Sequence, residues 1–324
     1  MTQPANRPTA PAVPAPDAPG QGAPRSQDAG GGAAPAKAAL IDLLFALADD
    51  ELIAGHRASE WTGVAPYLEE DVAFSSIAQD EVGHGALLYQ LLADLGCGGG
   101  DPDALAFGRE AGAFRNAILL ERPNGDWAAE IARHFLYSEY EAVLWAAVAG
   151  SPYEPLAAAA ARIAREEAYH QAHFRHWVVE LARAGGEARH RLEAALGEAL
   201  PLAEGFFEPL EDEAGAARWR GAGTGELRER WLEAVRQVLA EAGLEPVLER
   251  LAAAPGAGGP VPAEAGPTPG GPGTGGASSA AGPVAGGAGG GAGLGGRRGR
   301  HSAALTALLE EMTSVYRSDP SAEW

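Results

Sequence analysis

Two Glu-x-x-His motifs, Glu81/His84 and Glu167/His170, are the residues of this sequence best suited to chemistry. Three residues apart on a helix, a carboxylate and an imidazole project from one face and can hold one metal ion together. Read at alternating spacings of three and four, the second helical stripe is Ile77, Glu81, His84, Leu88, Leu91, Leu95. The fourth is Ile163, Glu167, His170, Phe174, Trp177, Leu181, and the first is Leu40, Leu44, Leu47, Glu51, Ala54, Ala58, Trp61. Each stripe is apolar except at its middle. A buried carboxylate costs several kcal/mol unless it is paired or bound to a cation. A multivalent cation shared by three helices is the simplest common explanation.

A further carboxylate is expected from the third helix. Glu139 lies on a stripe with Ala132, Phe135, Ala142 and Ala146; Glu141 lies with His134, Tyr137, Leu144 and Val148. Glu139 is preferred because its neighbours are smaller and wholly apolar. The expected ligand set is therefore Glu51, Glu81, His84, Glu139, Glu167 and His170, the donor pattern of di-iron and di-manganese bundles. Oxygen and imidazole donors without thiolate suit iron, with manganese as the alternative. The competing reading is a vestigial site whose polar groups persist as a hydrogen-bonded network. His56, His173, His176 and His190 read as surface or network histidines, and Tyr137, Tyr140 and Tyr169 as packing residues.

The elements that must position these groups are all helical. Gly and Pro breaks divide the sequence into helices over about Lys37–Thr62, Glu69–Leu95, Trp127–Val148 and Pro155–Ala184, with shorter ones over Glu187–Phe207, Glu226–Ala242 and Ser302–Tyr316. The acidic run Glu69-Glu70-Asp71 suits a helix N-terminus. Sustained apolar/polar alternation is missing, so almost no strand is expected. The predicted fold is all-α: a ferritin-like antiparallel four-helix bundle with additional C-terminal helices.

Composition bounds the rest. The 324 residues are 46% hydrophobic, with 45 Gly and 24 Pro crowded into two tracts. Residues 1–36 are expected to be a disordered Pro/Ala-rich leader and 253–296 a disordered Gly/Pro-rich linker, because neither can bury enough apolar surface to repay its ordering. The ferritin-like domain is placed at 37–252 and a C-terminal helix and tail at 297–324. A net charge of −20 argues against a nucleic-acid surface. Cys97 is the only cysteine, which excludes an intrachain disulfide and cysteine-based metal sites. With neither a secretory signal nor an apolar run long enough to span a membrane, a cytoplasmic setting is expected.

Several stretches carry a resemblance: Ser59-Glu60-Trp61, APYLEEDVAFSSIAQD, LAFGREAGAFRNAILLERPNGDWAAEIAR from Leu105 to Arg133, and GGRRGRHSAALTALLEEM from Gly295 to Met312, with the terminal Trp324. They make the chain similar to the ferritin-like C-type subunits of bacterial phenylacetyl-CoA epoxidases, over most of 40–250 and 295–324. The resemblance implies one component of an oxygen-dependent monooxygenase of aerobic phenylacetate breakdown. Its partners would be a catalytic di-iron subunit and a reductase subunit, its substrate phenylacetyl-CoA or a related aryl-CoA. The C-type subunits of that family are regarded as structural partners with a degraded metal site. Here QDEVGHG (Gln79 to Gly85) and REEAYH (Arg165 to His170) look more like the metal-binding helices of the catalytic subunit, while the third-helix ligand does not align cleanly and Ser138 is a candidate for its column. If the site is active, the resemblance implies Glu81 and Glu167 as bridging ligands, Glu51 and Glu139 as terminal ones, and one histidine on each ion. Arg297, Arg298 and Arg300 are candidates for contact with coenzyme A phosphates or a partner. The alternatives are a non-catalytic scaffold that stabilises the catalytic subunit and a free-standing ferritin-like iron- or peroxide-handling protein.

Overall fold

The computed structural model describes residues 30–253 and 293–319. The expected leader up to residue 29 and the expected linker over 254–292 lie outside the described residues. All regular structure among the described residues is helical: α1 (Gly30–Ser59), α2 (Leu68–Asp94), α3 (Pro102–Phe107), α4 (Ile118–Glu121), α5 (Trp127–Val148), α6 (Glu154–Ala184), α7 (Gly186–Ala203), α8 (Glu213–Arg220), α9 (Thr224–Glu241), α10 (Glu245–Ala253), α11 (Ala303–Met312) and α12 (Ser314–Ser318), with short 3-10 turns between some of them. None of these helices is long and apolar enough to cross a membrane.

The bundle consists of α1, α2, α5 and α6, the four helices whose apolar stripes are interrupted by polar groups. Short loops join α1 to α2 and α5 to α6, so each pair packs as an antiparallel hairpin. Acidic residues Glu69, Glu70 and Asp71 open α2 as expected. The Asp126 side chain caps α5 by accepting a hydrogen bond from the Ala129 amide at 3.0 Å. Leu44, Leu88, Phe135 and Phe174 are almost fully buried between the pairs, and each such side chain contributes about 2 kcal/mol through removal from water.

Residues 95–126 cross over from one hairpin to the other, carrying α3 and α4. Helices α7 and α9 then cover the outer side of α5. As a result every residue from Glu130 to Glu141 is buried, on both faces of α5. The first helix begins at Gly30, inside the stretch expected to be leader. Short helices α3, α4, α8 and α10, which carry too few turns to show a period, were not expected from the sequence.

Residues 293–302 pack back on the bundle. Glu208 accepts hydrogen bonds from the Gly295 amide (2.7 Å) and the Arg297 amide (3.3 Å). Arg297 is buried and donates to Asp50 of α1 at 2.7 Å and to the carbonyl of Arg115 at 2.8 Å. His301 meets Glu121 at 2.6 Å. Gly293–Gly296, expected to end the linker, are thus part of the folded body. Arg297, a candidate for contact with coenzyme A phosphates or a partner, is instead buried with its charge paired to Asp50. Arg298 remains exposed, donating to the Pro209 carbonyl, and Arg300 is exposed as well.

Candidate metal centre

The middle of the bundle gathers the polar groups of all four helices. Ligand atoms of Glu51 (α1), Glu81 and His84 (α2) and Glu167 (α6) lie within 4.8 Å of one another, and all four residues are buried. His170 joins them through Nδ1, 3.1 Å from Glu167 Oε1 and 3.5 Å from Glu81 Oε1. His84 Nδ1 is 3.2 Å from Glu51 Oε2 and 3.4 Å from Glu167 Oε1. Glu167 therefore sits between the two histidines, whose ring centroids are 6.4 Å apart.

From α5 it is Glu141 that faces the cluster. Its charge couples to Glu167, Glu81 and Glu51, and the three raise its pKa beyond what burial does. Glu139 is not brought to the site. It points the other way, into an ion pair with Arg175 of α6 (Nη2 to Oε2 2.7 Å) and a hydrogen bond from Gln171 at 3.1 Å. Small neighbours marked the stripe that leaves room for an arginine, not the stripe that meets the other carboxylates. Ser138, the other candidate for that column, donates to the Phe135 carbonyl within its own helix.

Two residues that sequence reading passed over complete the arrangement. Both histidines present Nδ1 inward and Nε2 outward, and each Nε2 meets a carboxylate from the opposite helix. His84 Nε2 is 2.7 Å from Glu166 and His170 Nε2 is 3.3 Å from Asp80. Such outer carboxylates fix the tautomer and the ring orientation of a histidine. The available signal was position: Asp80 and Glu166 directly precede Glu81 and Glu167.

Electrostatics describe a site built around positive charge. Burial pushes the carboxyl of Glu51 well up, and the charges of Glu81 and Glu167 push it further. Burial would raise Glu81 too, but contact with His170, a hydrogen bond from Glu51 and the charge of both histidines pull it down to about 2. Burial would lower His170, yet the closeness and charge of Glu167 and Glu81 raise it to about 11. Burial and the facing carboxylates thus push Glu51 and Glu141 toward their neutral forms, while Glu81 is held on its charged side by the histidines. Even so, Glu81 Oε2, Glu141 Oε2 and Glu167 Oε2 are buried without a hydrogen-bond partner, and Glu167 Oε1 and His170 Nδ1 meet as an ion pair at 3.1 Å without hydrogen-bond geometry. Unsatisfied buried polar atoms are rare in native interiors. Several of them converging here, all oxygen or imidazole donors, fit the donor set of a hard divalent cation.

Residues 27–257 match the family model described as phenylacetic acid catabolic protein. The chain belongs to that family. Within it, the sequence is 32% identical over 165 residues to the C-type subunit of 1,2-phenylacetyl-CoA epoxidase from Escherichia coli (strain K12), a match covering 51% of this chain and 66% of that protein.

Proposed function

We propose that the chain is a C-type subunit of an oxygen-dependent phenylacetyl-CoA epoxidase assembly of aerobic phenylacetate breakdown, and that it carries a two-metal centre of its own. The observation that supports this most is the convergence of Glu51, Glu81, His84, Glu141, Glu167 and His170, with buried oxygens left unsatisfied, in a chain similar to a C-type epoxidase subunit. Those six side chains would hold the ions, with iron preferred over manganese. A bound pair of ferrous ions would supply the two-electron reduction of dioxygen that an epoxidation requires. The protein's own share is to orient both imidazoles through Asp80 and Glu166, to keep the site dry with the surrounding Leu, Ile and Phe side chains, and to release protons from Glu51 and Glu141 when ions bind.

Partners would be a catalytic ferritin-like subunit and a reductase subunit, with phenylacetyl-CoA or a related aryl-CoA as substrate. Exposed Val64, Tyr67, Leu68 and Val72 form an apolar patch at the α1–α2 turn, the kind of surface that a partner protein covers. The same patch favours the second reading, a scaffold that stabilises the catalytic subunit without chemistry of its own. Metal analysis of the purified chain after anaerobic iron loading, with and without a co-expressed catalytic subunit, separates the two. About two iron ions per chain and a bridged di-ferric absorption band are expected; a chain that forms the complex yet holds no iron would leave only the scaffold.

A further inference from the structure

Each wall of the bundle around the cluster can be checked for a way in. The α1–α2 seam is sealed by glycine: a Cβ placed on Gly55 would lie 2.9 Å from Val82 Cγ2 and 3.0 Å from Glu81 Cβ, and Gly85 faces the Leu52 amide and the Ala48 carbonyl. Beyond Ala58 the bundle is plugged by packed rings, with Trp61, Phe74, Trp127 and Phe174 in contact. Helix α5 is covered by α7 and α9. A surface groove of about 590 Å³ also lies along α1–α2, but none of the cluster residues lines it. The α2–α6 seam differs. There a groove of about 450 Å³ opens at the surface, and its lining includes Ser76, Ile77, Asp80, Glu166, Tyr169 and His170.

Charge and burial say what this groove would admit. Asp80 and Glu166 have half-exposed side chains, 38% and 35% accessible, and each reaches inward to the Nε2 of a buried histidine. His170 itself lines the groove; its side chain is only 4% accessible, and its Nδ1 faces inward to Glu167 and Glu81 at 3.1 and 3.5 Å. Behind it stand the unsatisfied oxygens of Glu81 and Glu167. Arg162, largely in solvent, comes no nearer than 3.8 Å to Glu166, so the two carboxylates still leave the mouth acidic, which concentrates cations and repels anions. A coenzyme A thioester, with its phosphates, is the wrong charge for this opening. A small divalent cation is the right one.

We infer that the α2–α6 groove is the route by which divalent cations reach the buried cluster, with Asp80 and Glu166 as the groups that receive them before they pass the histidines. This rests on the two-metal reading above. It also implies that an acyl-CoA, wherever the assembly binds one, approaches by another face.

The full chain, stripped with a chelator under anaerobic conditions, can be mixed with cobalt(II) and followed by its ligand-field absorption. Ser76→Trp fills the groove from a residue that is not itself a ligand, while Ala86→Trp adds the same bulk on the outer, α1-facing side of α2. The expected result is uptake slowed at least several-fold by Ser76→Trp, the same final stoichiometry, and no change in Ala86→Trp. Ser76→Arg, which adds charge rather than a plug, should slow uptake about tenfold at low ionic strength and lose that effect as salt rises. Wild-type rates in both Ser76 variants overturn the route. A wild-type chain that takes up no cobalt at all overturns the two-metal reading itself, and the route with it.

Discussion

At the scale of single residues, the difference between Glu139 and Glu141 is the sharpest feature. Both are buried on the same helix, but one is neutralised by Arg175 and the other faces three carboxylates. Glu141→Ala is expected to cut bound iron or cobalt by at least half, measured by elemental analysis. Glu139→Ala should leave metal content unchanged and lower stability modestly, since Arg175 is 38% exposed and can turn to water. A metal loss in Glu139→Ala equal to that in Glu141→Ala would show the helix is rotated from the arrangement described. One step further out, Asp80→Asn and Glu166→Gln keep shape while removing the charge on the outer side of each imidazole. Each is expected to weaken cobalt binding about 10- to 100-fold in a competition titration; unchanged affinity would mean the outer carboxylates do not tune the ligands.

Helices and their seams set what could be read in advance. Glu81/His84 and Glu167/His170 were legible because α2 and α6 each bury a single stripe, so a polar group in it stands out; α1 is buried all round from Ala46 to Gly55, and Glu51 was legible there as the polar member of the Leu44, Leu47, Ala54 stripe. Helix α5 is buried on both sides, by its bundle partners and by α7 and α9. Two of its stripes are therefore apolar, and periodicity has no means of telling which one meets the cluster. Asp80 and Glu166 were illegible for a related reason: they lie off the stripe and act only across the α2–α6 seam, a relation between helices rather than within one. Glycine gives a test at this scale. Gly55→Ala gains about 1 kcal/mol of helix propensity but forces its Cβ against Val82 and Glu81, an overpacking cost of about 1–3 kcal/mol. Gly83, on the open side of α2, has nothing within 4 Å of its Cβ position, so Gly83→Ala keeps the full gain. Urea titrations should therefore show Gly83→Ala more stable than the wild type and Gly55→Ala less stable than Gly83→Ala; the reverse order would contradict the close α1–α2 approach.

Across the whole molecule, the bundle is completed by a segment far away in sequence. Asp49, Asp50 and Glu51 are consecutive and buried, and each turns to a different partner: Arg109 and Tyr89, then Arg297, then the cluster. Arg297→Met would leave Asp50 as an uncompensated charge in the interior, at a cost of about 3–5 kcal/mol. Asp50→Asn added to Arg297→Met should recover part of that loss, as judged by thermal unfolding. No loss in the single variant would mean that Asp50 finds water or another cation.

Residues 293–302 have a consequence for how the protein is made. Arg297 lies 247 positions beyond Asp50, so α1 leaves the ribosome long before the charge that neutralises it has been synthesised. Folding during translation can close the two hairpins, but the wall beside Glu51 stays unfinished until that late segment emerges. A chain interrupted before Gly293 would carry every helix of the bundle and still present the cell's proteases with an incomplete protein, which pulse proteolysis of the truncated product would reveal as rapid cleavage. The last wall of the bundle is thus supplied by a segment made long after the helices it closes, and loading of the centre would come after it.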